Sequence, residues 1–242
     1  MKKKPSISII TPVNNRIKTW EMCEKFCGRA IENYNGEVQW IVSDGGTDRA
    51  KCKLGQTHLL NEPLSCPNPT ADFIRNLTEG LKVAKHDIIF FYEDDDWHSP
   101  DYFTQTVELF KHGADIVGEG CARYYYIPTF KYRLHGNMKH ASLCQTALRG
   151  KMRERLRTLL EEADTPFLDL ELWKHAQRKD LAYVASESIN CVGLKGLTPG
   201  NFIGNGHREH SWYKPDLNNQ VLEKWLGKED AEWVLNNYIK NT

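Results

Sequence analysis

The chain has no net charge, no long apolar run and no paired-cysteine motif. Lys plus Arg and Asp plus Glu each number 32 of the 242 residues, so the overall charge gives no attraction to nucleic acid or anionic membranes. No segment approaches the roughly 20 apolar residues that span a bilayer. The basic start is followed by an apolar stretch of only residues 7–10 with no cleavage site, so we expect no signal peptide and a protein that is soluble or at most peripheral.

The cysteines argue against a structural zinc site or a disulfide framework. There are seven, an odd number, and none forms a CxxC pair. We expect reduced thiols and a cytoplasmic location. With no internal repeat, linker or low-complexity segment, residues 1–242 are predicted to form a single domain, for which the length suffices.

The first half of the chain alternates strand and helix patterns. Hydrophobic periodicity predicts strands at 6–11, 38–43, 87–92 and 115–118, and helices at 17–34, 72–84 and 100–112. Such alternation is typical of α/β proteins with a parallel, doubly wound sheet.

The second half of the chain is less regular. The predicted elements are a strand or hairpin at 122–132, helices at 149–162, 166–177 and 217–238, a strand at 181–192 and a mobile glycine-rich loop at 193–206. The tyrosines in 122–132 are expected to cover the site that the first half forms.

Polar clusters follow three of the predicted strands, at residues 11–16, 43–48 and 93–96. In open α/β sheets, ligands bind beyond the carboxyl ends of the strands. The third cluster is a row of four carboxylates directly after an apolar run, and such a row repels itself unless a hard cation or a set of hydroxyls compensates its charge. We therefore predict a metal or ligand site there rather than a solvated acidic turn.

Three segments resemble glycosyltransferases of family 2, which have the GT-A fold. Residues 7–16 are similar to the opening strand and nucleotide loop of the family, 41–48 to its second-strand motif, and 91–97 to its metal-binding DxD segment. The resemblance implies a Rossmann-like, mostly parallel sheet flanked by helices. It also implies a nucleotide-sugar-binding half at about 1–118 and an irregular acceptor-side half at about 119–242.

The resemblance assigns the nucleotide to the first two segments. Thr11 and Pro12 should flank the base, which Asp44 should hydrogen-bond. Asn14 and Arg16 lie in the nucleotide loop and are predicted to contact the donor.

The resemblance assigns a divalent ion, Mn²⁺ or Mg²⁺, to the acidic row. Asp95 is the predicted metal ligand, and Asp94 and Asp96 are expected beside the sugar or the ion. Glu93 stands where the family has an Asp that faces the ribose and metal region, and its extra methylene argues against direct contact with the metal. His207 is either a further metal ligand or an exposed loop histidine.

The remaining predicted roles concern the diphosphate and the acceptor. Arg208 and Lys195 flank the glycine-rich loop, where either could meet the diphosphate or remain solvated. Asp169 matches the catalytic base of inverting family members, with Glu171 and Asp164 as fallbacks. The alternative for Asp169 is simple stabilisation by the dipole of the helix that begins there.

These residues predict a metal-dependent, inverting glycosyltransferase that moves a sugar from a nucleoside diphosphate sugar, such as a UDP-sugar, to a saccharide hydroxyl. Two other functions stay open. One is nucleotidyl transfer, which the lack of a glycine-rich triphosphate loop disfavours. The other is binding without catalysis. A DNA acceptor with a hydroxymethylated base is a further alternative. It rests on five basic residues within 149–157, which otherwise form a solvated helix face.

Overall fold

The computed structural model describes residues 3–66, 68–185, 190–197, 209 and 211–238. The helices are α1 (Ile17–Glu32), α2 (Pro69–Val83), α3 (Tyr102–Leu109), α4 (Gly150–Glu162), α5 (Leu168–Gln177), α6 (Gln220–Leu226) and α7 (Lys228–Tyr238). None of the helices in these residues is both long enough and apolar enough to cross a bilayer.

A seven-stranded sheet forms the centre of the molecule. Its strands are β1 (Ile7–Val13), β2 (Val38–Asp44), β3 (Thr57–Leu60), β4 (Ile88–Phe91), β6 (Ile116–Glu119), β9 (Thr146–Leu148) and β10 (Ala182–Ala185). They lie in the order β10-β6-β9-β4-β1-β2-β3, and β9 alone runs antiparallel to its neighbours. The predicted α/β fold with a mostly parallel sheet flanked by helices is confirmed.

Strand alternation divides the core between the two faces of this sheet. Ile9 and Phe90 pack with Trp20 of α1 on one face, whereas Ile10 and Phe91 point to the other, against α2, α4 and α5. Burying such a side chain contributes about 1.5–3 kcal/mol. The β-branched and aromatic run of each central strand therefore fixes its register, because a slip of one residue would exchange the two faces.

The structure also contains a second, five-stranded sheet. Its strands are β5 (Asp96–His98), β7 (Arg123–Tyr126), β8 (Lys131–Leu134), β11 (Cys191–Lys195) and β12 (Lys214–Pro215), in the order β12-β8-β7-β11-β5. The predicted hairpin at 122–132 is confirmed as the antiparallel pair β7–β8. Because β4 belongs to the first sheet and β5 to the second, residues 92–95 connect the two sheets.

Several element predictions need correction. The predicted mobile loop at 193–206 is wrong at its start, since Gly193 to Lys195 pair with β7 inside β11; residues 198–206 lie outside the described residues. The predicted helix 217–238 begins only at Gln220 and is interrupted at Gly227, which has a φ of 82° that L-residues rarely adopt. Strands β3, β5, β9 and β12 were not predicted, because they are two to four residues long and lack a clear alternation.

Candidate active site

Three polar segments meet at the carboxyl ends of adjacent strands. In the first sheet β1 lies between β4 and β2, and all three run parallel. The residues that follow them, 14–16, 45–48 and 93–96, therefore share one edge of the sheet. The structure thus brings together the segments that the sequence predicted to form the site.

The segment after β2 is held by the carboxylate of Asp44. This side chain is fully buried, and it accepts hydrogen bonds from the backbone N–H of Gly46 (2.9 Å) and of Ala50 (2.8 Å). His58 of β3 lies 3.2 Å from the same carboxylate. Asp44, which the sequence predicted to hydrogen-bond the base, thus holds the backbone of residues 46–50. His58 went unpredicted because β3 itself carries too weak a pattern.

Asn15 joins the first two segments. Its backbone is left-handed, with a φ of 52°, and its Oδ1 accepts from the N–H groups of Thr47 (2.7 Å) and Asp48 (2.8 Å). A Cβ at Gly46 would lie 2.5 Å from the backbone nitrogen of Asn15, so only glycine allows this approach. The contact between the two loops therefore requires glycine at position 46.

The predicted nucleotide-loop residues have internal partners. Thr11 is buried and accepts from the indole of Trp40 (3.0 Å), and the half-buried Pro12 lies opposite Ser43 in the strand register. Asn14 donates to Asp72 in the first turn of α2 (2.5 Å).

Asp72 contacts the predicted site through Asn14, although it was not singled out from the sequence. It is buried, accepts also from Asn76 (3.1 Å), and would be within 2.4 Å of a Cβ at Gly45. The detectable signal was an acidic residue in the first turn of a predicted helix, which alone indicates no more than a favourable dipole contact.

The acidic row lies in the turn between β4 and β5. Glu93 is half-buried, and Asp94, Asp95 and Asp96 are at most 2 % exposed. Thr19 of α1 donates to Asp94 (2.8 Å). Backbone pairing of β5 with β11 holds the end of the row in place.

Two cations from opposite sides neutralise part of this row. Arg16 lies 3.1 Å from both Asp94 and Asp95, and Lys195 lies 3.3 Å from Asp95 and 3.0 Å from Asp96. The sequence placed Arg16 in the nucleotide loop and Lys195 beside the glycine-rich loop. In the structure both contact Asp95, the predicted metal ligand.

Burial and mutual repulsion raise the pKa values of carboxyl groups in this row, so the state with four negative charges is disfavoured. Burial, and then the charge of Asp96, raises the pKa of Glu93 to about 8. Burial likewise raises the pKa of Asp94 to about 6, although Arg16 opposes the shift. Two cations balance two of the four carboxylates, so one divalent ion would balance the remainder.

The row fits such an ion by the nature and spacing of its donors. Glu93, Asp95 and Asp96 each offer a carboxylate oxygen, and these oxygens lie within 4.8 Å of one another. Hard oxygen donors are the ligands that Mg²⁺ and Mn²⁺ prefer. The predicted ligand His207 and the predicted donor contact Arg208 lie outside the described residues.

Asp169 is half-buried in the first turn of α5. Its charge is the smallest of the five main contributions to the pKa of Glu93, and it raises that pKa. Burial raises the pKa of Asp169 itself to about 6, against hydrogen bonds from backbone N–H groups of its helix. The fallback Glu171 is exposed and paired with Lys174 (2.9 Å), and Asp164 is exposed.

Comparisons with known proteins agree with this architecture. The model of the family described as glycosyl transferase family 2 matches residues 8–168. The crystal structure of S. aureus TarS 1-349 in complex with UDP-GlcNAc is similar, with a TM-score of 0.53 at 13 % identity over 84 % of this chain and 60 % of that one. The crystal structure of S. aureus TarS gives a TM-score of 0.51 at 14 % identity over 78 % of this chain and 36 % of that one.

These structural likenesses concern the fold, and the chain spans less than two thirds of the length of either TarS structure. No curated protein sequence matches the chain.

Proposed function

Because the chain belongs to glycosyl transferase family 2, we propose that it transfers a sugar from a nucleoside diphosphate sugar to a hydroxyl acceptor, with a divalent metal ion and with inversion at the anomeric carbon. The observation that carries the proposal is the buried acidic row at the carboxyl edge of the sheet, whose Glu93, Asp95 and Asp96 offer grouped carboxylate oxygens. The row would provide the metal site, and Asp169 of α5 is the proposed base.

Each group in the cluster then has a chemical role. Asp95 and Asp96, with Glu93 at the rim, would hold Mn²⁺ or Mg²⁺, which supplies charge neutralisation for the departing diphosphate. Asp169 would accept the proton of the acceptor hydroxyl as that oxygen attacks. A base with a pKa of about 6 is mostly ionised at neutral pH, yet basic enough to take up a proton.

We propose a UDP-sugar as the donor. TarS, which has a similar fold, was crystallised in complex with UDP-GlcNAc. Thr11, Pro12 and Asp44 are the proposed contacts of the base, with Asn14, Asp94 and Arg16 near the remainder of the donor. Arg208 stays a predicted diphosphate contact and His207 a predicted metal ligand.

A saccharide remains our proposed acceptor. The basic run that would favour DNA is largely engaged within the protein, since Arg153 donates to the carbonyls of His86 (2.6 Å) and Ala84 (2.8 Å). Arg149 packs over Phe110. Such residues are not free to follow a phosphate backbone.

Calorimetry with UDP and Mn²⁺ tests the donor site directly. We expect nucleotide binding that depends on the ion in the wild type and is lost in Asp95→Ala, because that variant removes the central carboxylate. Asp164→Ala, an exposed aspartate removed in the same way, should bind normally. Unchanged, metal-dependent binding by Asp95→Ala would refute the assignment, and a panel of other nucleotides would identify a different donor.

A further inference from the structure

A second cluster of potential metal ligands shares Asp96 with the acidic row, and it contains sulfur. It consists of Asp96 of β5, Cys191 of β11 and Cys144, which lies in the turn before β9. One ligand atom from each lies within 4.8 Å of the others. The three residues are 0 %, 1 % and 6 % exposed, respectively.

The spacing of the two sulfurs matches that of two ligands of one tetrahedral ion. The Sγ atoms of Cys144 and Cys191 are 3.9 Å apart, and both thiols are free. With zinc–sulfur bonds of about 2.3 Å, tetrahedral geometry separates two sulfurs by about 3.8 Å. A disulfide would need about 2.05 Å.

The carboxylate of Asp96 has an oxygen available for such an ion. Its Oδ1 accepts from Lys195 (3.0 Å), whereas within the described part of the chain no N–H or O–H group donates to Oδ2. The thiol of Cys144 is a weak donor to this carboxylate. A buried carboxylate oxygen without a strong partner is costly, and a metal ion would satisfy it.

The charges of the cluster also suit a divalent ion. Two thiolates carry two negative charges, which one divalent cation balances, and Asp96 keeps Lys195 as its partner. We propose that Asp96, Cys144 and Cys191 form a site for a soft or borderline divalent ion such as Zn²⁺ or Cd²⁺. On binding, each thiol releases one proton to the solvent, so two protons leave for every ion bound.

The two candidate sites share Asp96, and this sharing has a consequence for activity. An ion held by the thiolates draws Asp96 away from the oxygen-ligand site, so Zn²⁺ should inhibit transfer. This consequence rests on the proposed function, whereas the binding itself does not.

Titration with Cd²⁺ alone tests the binding without any donor sugar. In a Cys66→Ser background, which removes an exposed thiol, we expect one Cd²⁺ per chain, a thiolate-to-cadmium charge-transfer band and the release of two protons. Cys144→Ser and Cys191→Ser should each abolish the band. Cys27→Ser removes a thiol that is also buried, in α1, and should retain it.

Absence of the band in the parent protein, or its persistence in both serine variants, would overturn the proposal. X-ray absorption of the zinc-loaded parent protein is independent of the folding of any variant. It should show two sulfur ligands at about 2.3 Å, and a shell of oxygen and nitrogen alone would equally overturn the site. Zn²⁺ should inhibit the parent transferase but not Cys144→Ser. If no transfer activity is found at all, the cadmium band still decides the binding.

Discussion

At the scale of single residues, the carboxylates of the candidate site differ in their surroundings. Asp95 lies between Arg16 and Lys195, whereas Asp169 accepts hydrogen bonds from backbone N–H groups in the first turn of α5. Carboxylates of the same chemistry are thus given different environments, which is how proteins assign different tasks to like groups.

Replacing Asp169 by Asn should lower the rate of transfer by about a hundredfold or more with little change in donor affinity, because it removes proton acceptance and keeps the shape. The exposed Asp164→Asn should be near normal. The measurement is steady-state kinetics with a saturating UDP-sugar. Near-normal turnover by Asp169→Asn would move the role to Glu171 or Asp164.

The pH profile provides an independent test of the same base. Since burial raises the pKa of Asp169 to about 6, the wild-type rate should fall as the pH drops below about 6, by roughly tenfold per unit. This acidic limb of the pH profile arises because Asp169, once protonated, cannot take up the proton of the acceptor hydroxyl. Asp169→Asn should lack this limb, and an identical profile in the variant would assign the limb to another group.

Lys195 competes with the proposed metal ion for the same carboxylates. Lys195→Met should therefore bind Mn²⁺ about tenfold more tightly than the wild type, while the metal-free variant loses about 3–5 kcal/mol of stability by leaving buried carboxylates unpaired. Paramagnetic resonance of Mn²⁺ and urea denaturation measure the two effects. Lys174→Met, which removes an exposed ion pair, should change neither. Weaker Mn²⁺ binding by Lys195→Met would contradict this competition.

At the scale of secondary-structure elements, the sequence predicted what carries long periodic patterns. The strands β1, β2 and β4 and the helices α1 and α2 were predicted within a few residues, because their apolar spacing is regular and they end at glycine, proline or polar clusters. Strand β9 was not predicted, since three residues cannot display a period. Its insertion between β4 and β6 depends on tertiary pairing alone.

The candidate site was predictable to a similar degree. Motifs at strand ends located the acidic row and Asp44 because each is contiguous in sequence. The contacts of Asp96 with Lys195 and of Asn14 with Asp72 join residues 99 and 58 positions apart, and no local pattern encodes such pairs.

Helix α4 illustrates how a charge run can mislead. We expect no salt-sensitive binding of the protein to a hydroxymethylated DNA duplex. Arg153 donates hydrogen bonds to the carbonyls of Ala84 and His86, and Arg157 pairs with Glu154. Fluorescence anisotropy at low salt measures this. Binding that falls steeply with rising salt would restore DNA as an acceptor.

A charge-reversal control for that experiment should spare Arg153, whose replacement would disturb the fold. Lys151→Glu is suitable, because this residue is exposed. Its hydrogen bond to Asp115 comes from the backbone N–H, which the substitution keeps. If DNA were bound through α4, this variant would bind it more weakly.

At the scale of the whole molecule, two sheets meet at residues 92–95. The first sheet contributes β4 and the second contributes β5 and β11, with Leu194 donating to the carbonyl of Asp95 (3.0 Å). The core of the second sheet also includes Met22 and Phe26 of α1 and Leu222 of α6. The proposed metal ligands therefore lie where two separately packed layers join.

A metal ion bound at that junction would affect local opening of the folded protein. An ion that binds only the native arrangement of residues 93–96 should raise the free energy of any local opening that separates β5 from β4 by about 2.7 kcal/mol at a hundredfold excess over its Kd. Amide deuterium exchange should then slow by roughly a hundredfold in β5 and β11 on addition of Mn²⁺, and little in β3 at the far edge of the first sheet. Uniform slowing of exchange throughout the chain would instead mean that the two layers open together, as one cooperative unit.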